Sequence, residues 1–269
     1  MKIDLHNHTV HSDGVLTSEE LLKRAINNKV DVFALTDHDS VFGCDEIEQL
    51  SKGTKVRIIK GLELSTYYKG ESVHIVCLFK NNKIPKEMLD FSNELLEKRR
   101  KRAIDMMNNI HNIYGLKVDI KRLLDESQII TRANMLRNVA EENNMSYKDA
   151  QFYISNESKA YIPSTKLSVE DGLKLAREAN CFCIFAHPCL IKKQELVEEI
   201  LKFGFDGIEV RYPSKKNSEK HFKKLAKKYN LLISAGSDCH GDSTHSDIGT
   251  CTLNENEFKP IADILGLNL

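Results

Sequence analysis

Imidazoles and carboxylates recur along this chain in short, closely spaced groups. His6-Asn7-His8 is followed by Ser12-Asp13-Gly14, then by Thr36-Asp37-His38-Asp39 and by Glu63-Leu64-Ser65. His74 and His187 stand singly, and Ser237-Asp238-Cys239-His240 closes the series near the far end. A His-x-His pair in extended backbone points both rings to one side, because successive side chains alternate. Asp238-x-His240 repeats that spacing. One histidine alone is more often structural; it is the grouping that points to metal ligation. Nitrogen and oxygen donors without a thiolate suit zinc, manganese or iron.

The elements that must position these groups are legible as apolar runs alternating with helix signals. Strand candidates are Ile3–Leu5, Val30–Leu35, Val56–Ile59, Ser72–Phe79, Cys181–Ala186, Asp206–Val210 and Leu231–Gly236. Between them, Thr17 and Glu20 have the spacing of a helix capping box, with Leu21, Leu22, Ala25 and Ile26 following at helical spacing. Further helices are expected at Cys44–Ser51, at Val169–Ala179 behind an N-cap at Ser168, at Gln194–Phe203 and at Ser218–Tyr229. Seven such repeats predict an α/β fold with a parallel sheet, closing as a seven-stranded distorted (β/α) barrel, with an open doubly wound sheet as the alternative. In either case the motifs follow the strands and gather at their carboxyl ends. His74 fits poorly, since it lies near the start of its strand.

From Lys86 to Asn156 the pattern turns polar and helical, and Leu89, Leu95, Leu96, Ile104, Met107 and Ile110 suggest one long amphipathic helix. The domain reading is therefore a barrel in two parts, 1–80 and 161–269, around a helical insertion at 81–160 that caps the site. Lys98-Arg99-Arg100-Lys101-Arg102 in that insertion is either a solvated face or a means of steering an oligonucleotide.

Composition sets limits on the function. The 269 residues are 41% hydrophobic and 29% charged, a globular composition, and 39 basic residues balance 39 acidic ones. Strong non-specific nucleic-acid binding is not expected from a neutral chain, although a local basic groove is compatible with it. No apolar run is long enough to span a membrane, and the N-terminus is polar, so a cytoplasmic location is expected. The seven cysteines include no Cys-x-x-Cys pair and read as buried reduced thiols.

Taken together, HxH…SDG, TDH, ExS, the single histidines and SDxH resemble the motifs of the PHP (polymerase and histidinol phosphatase) family. LTSEELLKRAINNKVDVFALTDHD, AHPCL and FDGIEVRYP…LAKKYNLLISAGSDCHG resemble its branch of nucleoside bisphosphate phosphatases and 5′-to-3′ exoribonucleases. The resemblance spans essentially the whole chain. It implies two or three divalent ions (Mn, Zn or Fe), with His6, His8, Glu63 and Asp238 on one, Glu63, His74 and His187 on a second, and Asp13, His38 and His240 on a third. It also makes His74 a ligand.

The reaction implied is phosphate-ester hydrolysis by metal-activated water, with Glu63, Asp13, His38 and His240 in the catalytic machinery. The substrate would be a phosphorylated small molecule or short oligonucleotide, such as a 3′,5′-nucleoside bisphosphate or an RNA 5′ end. Arg132 is expected to grip a phosphate. Asn134, standing where the branch often has histidine, is a further substrate contact that cannot carry a proton. Arg211 is the second candidate phosphate ligand, and Glu209 is read as supporting the ligands or buried in the barrel. His11 reads as a neighbour of the first motif, and His111, His221 and His245 as solvated. The competing readings are a small-metabolite phosphatase, such as one for histidinol phosphate, and a metal-binding regulatory module without turnover.

Overall fold

The computed structural model describes residues 1–126, 130–163 and 167–267. The chain divides into two compact units, Met1–Ser92 with Lys166–Leu269, and Asn93–Thr165. The insertion read from the sequence, 81–160, overlaps the second of these.

The first unit carries the sheet. Strands β1 (Ile3–Asp4), β2 (Val32–Leu35) and β3 (Arg57–Tyr68) are parallel neighbours. β3 then turns back through Lys69-Gly70 into β4 (Glu71–Leu78), which pairs with it antiparallel. A short β5 (Leu167–Ser168) runs parallel to the end of β3, at Thr66 and Tyr67. β6 (Phe182–Phe185) is antiparallel to β4, and β7 (Gly207–Arg211) and β8 (Leu232–Ala235) follow in parallel. The sheet nearly closes, because the chain beyond β8 lies beside the chain beyond β1. Leu5 N–H donates to Ala235 O at 3.0 Å, Asp238 N–H to His6 O at 2.9 Å, and His8 N–H to Cys239 O at 2.9 Å.

An all-parallel sheet was expected, and β4 overturns that. The reversal explains His74. In an antiparallel strand the start of β4 lies at the carboxyl ends of its neighbours, and the register sets His74 opposite Ser65 and Val76 opposite Glu63. His74 therefore reaches the same face as the other motifs.

Alternation along the strands divides the core. Val32 and Ala34 join Ile3, Ile59, Ile184 and Ala235 in one cluster, while Phe33 and Leu35 pack with Leu21, Ala25 and Ile47. These last come from α1 (Ser18–Asn27), whose Thr17–Glu20 capping box forms as expected, and α2 (Cys44–Ser51). In the second unit, α3 (Lys86–Tyr114) contributes Ala103, Met106, Met107 and Ile110 to a separate cluster. That cluster is completed by Leu123 of α4 (Ile120–Glu126), Met135 and Val139 of α5 (Arg132–Glu142) and Ala150 of α6 (Tyr147–Ile154). Leu89, assigned to the apolar stripe from the sequence, is exposed instead.

Returning to the first unit, α7 (Val169–Glu178) starts on the Ser168 cap, and the segment expected as one helix at Gln194–Phe203 is a 3-10 turn leading into α8 (Val197–Leu201). Next comes α9 (Glu219–Tyr229). Finally α10 (Glu255–Leu265), capped by Asn254 and Glu257, packs Phe258, Ile261, Ala262 and Leu265 on the strand cluster.

Candidate metal centre

Each motif is set in place by the backbone that leads into it. Below the cluster, Asp4 accepts from the His6 N–H at 3.3 Å, the Ser237 N–H at 3.0 Å and the Gly249 N–H at 2.7 Å, which ties the first and last motifs together. Burial pushes the Asp4 carboxyl up to about 6. Asp37 does the same for the second motif, accepting from the Thr9 N–H at 2.7 Å, the Thr9 hydroxyl at 2.8 Å and the Ser12 hydroxyl at 2.6 Å. Asp39, His187 and Asp238 have φ values of 54°, 30° and 50°. Left-handed backbone at residues other than glycine costs about 1–3 kcal/mol each and persists where the surroundings impose it. All three lie just past strand ends, in the loops that carry the ligand candidates. Gly236 is needed for its size: a Cβ there would lie 2.2 Å from His6 Cβ and 2.5 Å from Glu209 Oε1.

Glu63 stands at the centre, with its side chain 1% exposed. Its two oxygens face different imidazoles. Oε1 lies 3.1 Å from His74 Nδ1 and 2.9 Å from His187 Nε2. Oε2 lies 3.2 Å from His6 Nε2, 3.3 Å from His8 Nε2 and 3.1 Å from His38 Nδ1. Asp238 Oδ1 lies 3.0 Å from His8 Nε2 and 3.4 Å from His6 Nε2. Asp13 lies 3.2 Å from His240 Nε2 and 3.8 Å from His38 Nε2. All nine sequence-predicted metal candidates are thus brought together.

The donor set fits metal ions. His6 Nε2, His8 Nε2, His38 Nδ1 and Glu63 Oε2 are buried with no hydrogen-bond partner among the described residues. Buried polar atoms left unpaired are costly, and cations bound among them would satisfy all four. The separations agree: tetrahedral bonds of about 2.1 Å hold their donors about 3.4 Å apart. Among the described residues, four sets have donor atoms close enough to share an ion: His6, His8, Glu63 and Asp238; His8, Asp13, His38 and His240; His38, Glu63 and His74; and Asp238, His240 and His245. The first is the set that the family resemblance implies. The second and third enlist His8 and His38 beyond it, the fourth brings in His245, and His187 contacts Glu63 directly.

Exposure shows which side is open. Asp13 is 44% exposed, against 18% for His38, 21% for His74 and 1% or less for His6 and His8. The floor is dry and the Asp13 side faces solvent. Burial alone would raise the Glu63 carboxyl, but the field of His38, His6 and His74 holds it well below the usual carboxylate range. Burial would likewise lower the His8 imidazole, yet Asp238 and Glu63 lift it to about 10. His38 goes the other way, down to about 3, because burial together with the charges of His8 and His74 outweighs Glu63 and Asp13.

Several residues support the ligands, and of these the sequence reading singled out Glu209. Glu209, left open between two roles, faces His6 Nδ1 at 3.3 Å and accepts from the His187 N–H at 2.6 Å. Tyr212 donates its hydroxyl to Asp238 Oδ2 at 2.8 Å. Asp4 and Asp37 were missed because a lone aspartate beside a motif carries no signal until the loops meet. His245, read as solvated, stacks on His240 with ring centroids 4.0 Å apart and holds its Nδ1 3.0 Å from Asp242.

The expected substrate contacts stand differently. Arg211 pairs with Glu219 and Glu257 and donates to Thr252 O at 3.1 Å, so its guanidinium is committed within the fold, which argues against the phosphate contact expected of it. Asn134 completes the α5 capping box, its amide oxygen accepting from the Thr131 N–H at 2.8 Å. Arg132 is exposed, with one nitrogen 2.8 Å from Asn156 Oδ1 and 3.2 Å from the Tyr161 hydroxyl. In the basic run, Arg102 donates to Ile162 O at 2.7 Å and Arg100 to Leu124 O at 3.4 Å.

Comparison with known proteins agrees with this geometry. The profile of the PHP domain family matches residues 4–237. A 5′-3′ exoribonuclease of Haemophilus influenzae is 31% identical over 251 residues, covering 89% of this chain and 90% of that protein. A 3′,5′-nucleoside bisphosphate phosphatase of Chromobacterium violaceum is 28% identical, covering 88% and 87%. The crystal structure of a Bifidobacterium adolescentis protein shares the fold with a TM-score of 0.79 at 21% identity, covering 97% of this chain and 96% of that one.

Proposed function

The chain belongs to the PHP domain family, and on that premise we propose that its centre holds three divalent ions and acts on phosphorylated nucleotide ends, either 3′,5′-nucleoside bisphosphates or the 5′ end of short RNA. It is a metal-dependent phosphoesterase. His6, His8, Glu63 and Asp238 would hold one ion, Glu63, His74 and His187 a second, and Asp13, His38 and His240 a third. Manganese, zinc or iron suits these donors.

The single observation that carries this reading is the division of Glu63. One buried carboxylate turns each oxygen toward a different set of imidazoles, which a carboxylate bridging two ions must do and an imidazole cannot. Bound ions would supply Lewis acidity and a water acidic enough to attack near neutral pH. The protein supplies the rest. Glu209 and Tyr212 fix the orientation of His6, His187 and Asp238, which is how supporting residues tune a metal site. The dry floor strengthens every charge interaction above it. The open Asp13 side is the way in for the ester. Arg132 is proposed to grip a phosphate through its planar fork, and no protein nucleophile is required.

Phosphate release from 3′,5′-bisphosphates, mononucleotides and histidinol phosphate, and mononucleotide release from 5′-phosphorylated short RNAs, with and without added manganese, test this reading. Manganese-dependent turnover is expected, greatest on the bisphosphate or the RNA. Preference for histidinol phosphate would move the substrate to small metabolites. Metal binding without release from any of the four would leave a regulatory module.

A further inference from the structure

The exposed face of α9 is rich in lysine. Its sequence EKHFKKLAKKY holds five lysines and one carboxylate, and Lys215 and Lys216 precede it. Phe222, Leu225 and Ala226 are buried, while Lys220, Lys223, Lys224 and Lys227 are exposed at helical spacing on the other side. On α1 and α3, lysines are matched by acids one turn away, as in Lys23–Glu19, Lys86–Asp90 and Lys98–Glu94. On α9 only Lys223 pairs in that way, with Glu219, and Lys228 pairs with Glu198. Lys215, Lys216, Lys220, Lys224 and Lys227 make no ion pair among the described residues.

Helix stability does not explain this placement. Cations favour a helix C-terminus, which accounts for Lys227 and Lys228 but opposes Lys220 in the first turn. The stripe also begins beside the metal centre. β7 leads directly into Tyr212, which touches Asp238, and Lys215 and Lys216 come three and four residues later. From Lys220 to Lys227 the helix advances about 10 Å along its axis.

We infer that Lys215, Lys216, Lys220, Lys224 and Lys227 form a track for the phosphate backbone of a single-stranded RNA whose 5′ end lies at the metal centre. This deepens the proposed function and rests on it for the substrate class. The track explains how a neutral chain engages a polyanion locally without coating nucleic acid generally.

The test compares the wild-type protein with the triple variant K220Q/K224Q/K227Q. Binding of a phosphorothioate-linked single-stranded 12-mer, which resists hydrolysis, is followed by fluorescence anisotropy from about 50 to 200 mM salt, the range over which phosphate contacts are most telling. Each single-strand phosphate contact adds about 0.7 to the salt slope, so losing three should flatten it by about 2, which is roughly a 20-fold smaller loss of affinity across that range. Hydrolysis of a 3′,5′-nucleoside bisphosphate, too short to reach the stripe, should be unchanged and reports that the variant is folded. An unchanged slope in the variant, or a wild-type protein that does not bind the 12-mer, overturns the track. Wild-type binding with the expected flattening, but no hydrolysis of an unmodified RNA, would overturn the substrate reading and leave the track standing.

Discussion

Replacing Glu209 with glutamine should weaken the ion proposed on His6, without removing a ligand. The carboxylate now serves two donors: Oε2 accepts from the His187 backbone N–H at 2.6 Å, and Oε1 faces His6 Nδ1 at 3.3 Å. Glutamine has one acceptor and one donor end. The His187 N–H cannot reverse, so the amide oxygen must stay there, and the NH2 then meets His6 Nδ1. His6 can accept that hydrogen only by moving its own proton to Nε2, the atom aimed at Glu63 and Asp238. A ligand lone pair is thereby lost. Loss of such a supporting partner typically costs 10- to 100-fold in metal affinity, about 1.4–2.8 kcal/mol. Calorimetric titration of manganese into stripped protein, with circular dichroism to confirm the fold, reads the effect. The expected result is weakening at the site served by His6, with the Asp13, His38 and His240 site retained. Wild-type affinity at every site would refute the tautomer argument, and so would a loss confined to the Asp13 site.

Three further outcomes follow from the same geometry. Gly236→Ala forces a methyl against two buried side chains and should cost about 1–3 kcal/mol of stability, seen as a lowered Tm together with reduced metal content; an unchanged Tm would mean that the backbone there yields freely. Metal loading should release protons and weaken as pH falls, because the His8 imidazole, lifted to about 10, holds a proton that a cation must displace; affinity should therefore rise with pH through the neutral range, and a pH-independent titration would contradict the proposed donors. Arg132→Ala should lower kcat/KM for a phosphorylated nucleotide by about 100-fold, the loss typical of a charge-stabilising donor, with metal content unchanged and only partial recovery in Arg132→Lys; full activity in both variants would put the phosphate elsewhere.

The ligand set was legible in the sequence because its spacing is local. His6 and His8, or Asp238 and His240, declare a shared direction two residues apart, and the apolar runs before them announce the strand ends. The direction of β4 was not legible, since a run such as Ser72–Phe79 reads the same whichever way it pairs. What reverses it is the Lys69-Gly70 turn, whose positive φ values of 46° and 94° mark a hairpin. The pairing of Arg211 was not legible for a related reason: its partner Glu257 is 46 residues away and belongs to α10, a helix the sequence reading did not identify. The signal was present as Asn254 and Glu257 at capping-box spacing. Asp4 acts through backbone N–H groups of other loops and Asp37 through the Thr9 N–H and the Thr9 and Ser12 hydroxyls, bonds that become apparent only once the loops meet.

The chain is proposed to build a centre for several ions around one carboxylate, and metal content per chain, by elemental analysis after purification without chelator and reconstitution with manganese, tests this. At least two equivalents are expected, rising to three at saturation; one equivalent or fewer would overturn the multinuclear centre.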